Sequence, residues 1–142
     1  MPARTADARW EGGLKDGKGT MRFGSGAFEG QYSFTSRFEE GPGTNPEELI
    51  AAAHAGCFSM KLSGVLGEAG HVPTSIDTTA TVYLEKGDSG FRIGRINLKT
   101  IATVPGISEA EFQQQAEAAK DGCPVSQLVT GAEVTLDATL KS

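Results

Sequence analysis

The stretch "NPEELIAAAHAGCFSMKLSGVLG", residues 45–67, constrains the architecture more than any other part of the chain. Asn45 fits a helix N-cap, and Pro46 suits the first helical position because its missing N–H is no loss there. Glu47 and Glu48 complement the positive end of the helix dipole. With Gly67 as the stop, the pattern predicts a helix from Pro46 to Leu66, roughly 30 Å long at about 1.5 Å per residue, which is the span of a small domain. Its Ala51, Ala52, Ala53, Ala55, Gly56, Ser59, Ser63 and Gly64 form a surface of small residues that another helix can approach closely. Cys57 lies in the middle of it.

The flanking sequence is strand-rich. Residues 8–34 carry short β-forming pieces, "ARWEGGL", "GTMRF" and "AFEGQYSF", with "FGSGAF" reading as a hairpin; a three-stranded meander is expected. "TSRFEEGPGT" reads as a glycine and proline loop leading into the helix. From Thr74 to Thr103, β-formers alternate around a second hairpin at "EKGDSG". "GISEAEFQQQAEAAKDG" opens a second helix with a capping box, Ser108 to Glu111, and closes it at Gly122. "CPVSQLV" reads as a short helix with Pro124 at its first position, and "AEVTLDATLK" as a final strand. The order βββ-α-ββ-α-β, with no repeat and no linker, suits a single α+β domain over residues 1–142.

At 142 residues the chain is long enough to bury a core without staples. Its net charge of −5 and lack of any basic run exclude a nucleic-acid footprint, because phosphate binding needs clustered Lys and Arg. The start, "MPARTADARW", has no apolar stretch of signal-peptide length. No segment approaches the roughly 20 consecutive apolar residues of a spanning helix. The expectation is a cytoplasmic protein with no membrane partner, in a compartment where structural disulfides are rare. The two cysteines, Cys57 and Cys123, are then either buried small hydrophobes or redox groups.

The ordinary role of a lone mid-helix cysteine is packing. Cys123 differs, since it sits where a helix begins, ahead of Pro124, and unpaired backbone N–H groups there favour a thiolate. From the residues alone Cys123 is the better-activated thiol. Cys57 lies about three turns into its helix, where burial raises a thiol pKa, so it needs a cation beside it. One positive charge at about 4 Å, with an effective dielectric near 20, is worth about 4 kcal/mol, or close to 3 pKa units. His54 and Lys61, at i−3 and i+4, share the face of Cys57. The ordinary role of His54 is a hydrogen-bonded packing histidine, since two histidines and two cysteines at these spacings match no common metal pattern. Lys61 reads as a solvated charge. Arg37 is the better partner in kind, because it stays charged when buried and binds a carboxylate bidentately, although spacing does not place it at Cys57.

"TSRFEEGPGTNPEELIAAAHAGCFSM", followed some sixty residues later by "DGCPVSQ", resembles the OsmC/Ohr family of thiol peroxidases. With "WEGGLKDGKGT", "GEAGHVPTSIDTTA" and "EVTLDATLKS" included, nearly the whole chain is similar to the OsmC branch. The resemblance implies an intertwined homodimer in which paired central helices pack on an antiparallel-rich sheet. It also implies a hydroperoxide reductase with Cys57 as the peroxidatic thiol, Cys123 as the resolving thiol, Arg37 as the thiolate-stabilising cation and Glu47 as the carboxylate that holds Arg37. That reverses the preference for Cys123 drawn from the residues. The implied substrates are organic hydroperoxides, and the implied reductant is a lipoyl-type dithiol, with no metal, haem or flavin cofactor. Glu47 and Cys57 are ten residues apart, about 15 Å along one helix, so the implied site is shared between two subunits. Two rivals remain on the same fold: a non-catalytic binding module for an apolar ligand, with inert buried cysteines, and a protein thiol–disulfide exchanger. The absence of a C-x-x-C motif argues against the second.

Overall fold

The computed structural model describes residues 2–141. Met1 and Ser142, the ends of the expected single domain and, for Ser142, of the closing "EVTLDATLKS", lie outside the described residues. The chain divides into two compact units between Leu49 and Ile50.

The first unit opens with the expected meander: β1 (Ala6–Glu11), β2 (Lys18–Phe23) and β3 (Glu29–Tyr32), antiparallel in that order. Trp10 and Tyr32 both pair with Gly19, and their rings meet across it with centroids 5.3 Å apart. A Cβ on Gly19 would fall 2.5 Å from the Tyr32 ring and 2.7 Å from the Trp10 ring, so the contact depends on glycine. Where the sequence reads as a loop, the structure forms a short helix, α1 (Phe34–Phe38). Ser33 caps it, accepting from the Ser36 N–H while Ser36 Oγ accepts from the Ser33 N–H. The correction has a local cause: a serine capping box carried out by Ser-x-x-Ser rather than the usual Ser-x-x-Glu.

The central helix, α2 (Pro46–Glu68), starts as predicted, with the Glu48 N–H bonded to Asn45 Oδ1 at 2.7 Å. It ends later than predicted. His71 N–H bonds Leu66 O at 2.8 Å and Gly70 N–H bonds Gly67 O at 3.0 Å, with Gly70 at φ 91°. This is a Schellman stop, and Gly70 rather than Gly67 supplies its left-handed residue. By length and composition α2 is also apolar enough to cross a membrane, which corrects the expectation that no segment approaches that limit; its alanines supply that apolarity.

The second unit carries the core. β4 (Ser75–Gly87) and β5 (Gly90–Thr103) form the second expected hairpin, turning at Gly90 with φ 113°, and β6 (Glu133–Lys141) joins β5 in parallel. Two helices separate β5 from β6: α3 (Glu109–Gly122) and α4 (Pro124–Leu128). Half of the predicted capping box forms, Ser108 Oγ accepting from the Glu111 N–H. The Glu111 carboxylate instead meets His71 Nε2 at 3.2 Å. His54, Phe58, Leu62 and Leu66, four apart along α2, are fully buried. The last three cluster with Leu98, Ala102 and Val104 and with Phe112, Ala116 and Ala119 of α3. Burying a side chain such as Phe58 contributes about 1.5–3 kcal/mol. Ser59 Oγ also lies 2.8 Å from Thr78 Oγ1, which lies 3.0 Å from Thr100 Oγ1, so a chain of hydroxyls ties α2 to β4 and β5.

Candidate active site

The site residues expected from sequence come together in two pairs, one in each unit. In the first unit, the last turn of α1 carries Arg37 and the first turn of α2 presents Glu47. Arg37 Nε and Nη2 donate to Glu47 Oε1 and Oε2 at 3.1 and 3.0 Å, a bidentate fork. The backbone prepares it: Ser36 Oγ donates to Thr44 O at 2.7 Å and Asn45 Nδ2 to Ser36 O at 2.9 Å, closing the loop between the helices. Glu47 is 8% exposed, whereas 38% of the Arg37 side chain is open to solvent. Arg37 also walls an apolar cavity of about 240 Å³ formed with Trp10, Leu14, Tyr32, Phe34 and Phe38.

In the second unit, Cys57 of α2 and Cys123, the residue between α3 and α4, face each other with their Sγ atoms 2.7 Å apart. Both are free thiols; Cys57 is partly exposed and Cys123 fully buried. Burial raises the Cys57 pKa, and the hydrogen bond with Cys123 raises it further. The backbone N–H of Val125 and the Lys61 ammonium act in the opposite direction, favouring the thiolate. The α4 amide that the sequence assigns to Cys123 therefore serves Cys57, because the Val125 N–H meets the thiol on the neighbouring helix. Lys61 is more than a solvated charge: its stem lies across Gly122, where an added Cβ would fall 3.0 Å from Lys61 Cε. Two groups escape a sequence reading. A backbone amide such as Val125 N–H carries no residue signature. Ser126, whose Oγ lies 2.7 Å from His54 Nε2, is detectable as a hydroxyl one turn after Cys123.

The OsmC-like protein family model matches residues 39–138. The chain belongs to the OsmC-like family. A protein of Escherichia coli K12 named peroxiredoxin OsmC is 56% identical to this OsmC-like chain over 140 residues, covering 98% of this chain and 97% of that one. An organic hydroperoxide resistance protein of Xanthomonas axonopodis pv. citri is 33% identical over 101 residues, covering 70% of this chain and 67% of its relative. The crystal structure of the organic hydroperoxide resistance protein OhrB of Bacillus subtilis has the same fold, with a TM-score of 0.68 at 26% identity and 96% and 98% of the two chains covered. The family and the α+β fold implied by the motifs are thus those of this OsmC-like chain.

Proposed function

We infer that this chain is a thiol-dependent peroxidase that reduces organic hydroperoxides to alcohols. The observation that carries the reading is the close pair of free thiols, one partly exposed and one buried. The names of the relatives point the same way. Cys57, the accessible member, attacks the distal oxygen of ROOH as its thiolate. The O–O bond breaks, RO⁻ takes a proton and leaves as ROH, and Cys57 becomes a sulfenic acid. Cys123 then condenses with it to a disulfide with loss of water. A dithiol reductant, of the lipoyl type, returns both thiols by exchange.

Arg37, held by Glu47, supplies the charge that stabilises the Cys57 thiolate. The apolar cavity beside Arg37 favours an organic substituent over hydrogen peroxide. The working unit is a homodimer in which Arg37 and Glu47 of one subunit serve Cys57 of the other, with 1–142 as one functional domain and the cytoplasm as its location. Support for the dimer comes from α2: Ala52, Ala53, Gly56, Ser63 and Gly64 are exposed, and Met60 is 80% exposed. An added Cβ at Gly56 or Gly64 meets nothing within 4 Å. The binding-module reading needs both cysteines buried and inert, and Cys57 is neither buried nor isolated.

Peroxide consumption in the presence of a dithiol tests the reading. Cys57→Ser abolishes turnover, whereas Cys123→Ser permits one oxidation and leaves a trappable sulfenic acid on Cys57. Sulfenic acid on Cys123 of the Cys57→Ser protein, with normal consumption, reverses the roles.

A further inference from the structure

His54 is a buried titratable group that the chemistry above leaves unused. It belongs to the buried stripe of α2, one turn ahead of Cys57, and is 0% exposed. Its Nε2 bonds Ser126 Oγ at 2.7 Å, while its Nδ1 has no hydrogen-bond partner among the described residues. An unpartnered buried ring nitrogen costs about 1–3 kcal/mol, which leucine or phenylalanine at this place in the stripe would avoid. The ring therefore contributes something that packing does not, and its one polar contact among the described residues is Ser126.

Ser126 lies three residues after Cys123, in α4. That helix has five residues, none of them buried, and no side-chain N-cap. So short a helix does not sustain itself, and its placement depends on ties to its neighbours. The His54–Ser126 bond is such a tie, running to the helix that carries Cys57. The two thiols are thus carried on elements that this hydrogen bond ties together one turn away.

We propose that the His54–Ser126 hydrogen bond is a positioning device for the resolving step, holding α4 against α2 so that Cys123 meets the Cys57 sulfenic acid. This rests on the peroxidase reading. In that step the Cys123 thiolate attacks the Cys57 sulfur, the S–S bond forms and the S–O bond breaks. The departing hydroxide takes the proton released by the Cys123 thiol and leaves as water. The hydroperoxide has already supplied the oxidising equivalents, so no further oxidant enters. His54 and Ser126 act through the placement of α4 and touch none of the reacting atoms. A loosened α4 prolongs the sulfenic state and exposes it to a second peroxide, which carries it to sulfinic acid.

The test mixes the reduced full chain with one equivalent of tert-butyl hydroperoxide and follows two phases: peroxide loss, then disulfide formation, with sulfenic acid trapped and located by mass. Ser126→Ala resolves about tenfold more slowly, a loss well above any slowing of Cys57 oxidation through the Val125 N–H of the same helix, and forms Cys57 sulfinic acid when peroxide is in excess. Ser126→Thr, which keeps a hydroxyl, restores fast resolution. His54→Phe, filling the same space, resolves as slowly as Ser126→Ala, and the latter pair of Ser126 variants decides the matter if His54→Phe does not fold. Resolution of Ser126→Ala at the parent rate overturns the proposal while leaving the peroxidase reading intact, as does equal slowing of both phases, which marks a merely structural contact. A parent protein that forms no disulfide overturns both.

Discussion

Removing one member of the Arg37–Glu47 pair has a different consequence from removing the other. Glu47 is 8% exposed and receives both donors of the guanidinium fork, whereas 38% of the Arg37 side chain remains open to solvent. Arg37→Met strands a carboxylate in the interior with two charge-assisted bonds lost. Breaking a buried pair this way costs about 3–5 kcal/mol, and the open arginine end places this case near 3. Glu47→Gln leaves the guanidinium partly hydrated and an amide oxygen still able to accept one bond, a loss of about 1 kcal/mol. In the double variant the neutral amide strands no charge, so its loss falls below the sum of the single losses by about 1–2 kcal/mol. Urea unfolding of the parent and the three variants at one fixed protein concentration reads these differences from the midpoints, provided the slopes agree. Single losses equal within about 0.5 kcal/mol, with a double variant that equals their sum, would refute the argument that burial of Glu47 governs the pair.

The pH midpoint of Cys57 alkylation, which burial already raises, moves higher still in Lys61→Met and in Arg37→Met; a variant whose profile overlays the parent removes that residue from the list of thiolate-stabilising cations. Burial lowers the His54 pKa from 6.5, so below about that pH the unfolded chain binds a proton that the folded chain does not. Stability present above pH 6.5 is therefore lost as pH falls toward the lowered folded-state value, and His54→Gln flattens this part of the urea-midpoint profile. Co-refolding Cys57→Ser subunits with Glu47→Ala subunits restores part of the activity, because one site of the heterodimer then has both native groups; mixtures no more active than the separate variants, or a fully active monomer, count against the shared site.

The elements that could be read along the chain are those fixed by neighbours a few residues away. Asn45, Pro46, Glu47 and Glu48 mark the start of α2 because capping and dipole effects act within one turn. Gly26, at φ 80°, and Gly90, at φ 113°, mark the hairpins because few other residues adopt those angles. Reading failed where a second local signal competed. Gly67 looked like a stop, but the helix runs on to Glu68 and Gly70 supplies the left-handed residue, since one glycine in an exposed helix costs only about 1 kcal/mol. Ser33 passed for the end of a β-forming piece and Ser36 for a loop residue, although the two form the capping box of α1.

The motif residues Arg37, Glu47, Cys57 and Cys123, together with the family they imply, were legible because each is a residue type whose chemistry is written in its side chain. Their pairing was not. Cys57 and Cys123 are 66 positions apart, and His54 and Ser126 are 72 apart. Neither propensity nor capping acts over such separations; the burial of α2 against β5 and α3, with α4 tied alongside, determines which side chains meet. The same packing decides that the Val125 amide and the Lys61 ammonium favour the thiolate of Cys57, against a burial effect that favours its thiol. Sequence alone determined which reactive groups this chain possesses and where its central helix begins. Tertiary structure decided which thiol is exposed and which is buried against it, because exposure and contact are properties of packed surfaces and not of position along the chain.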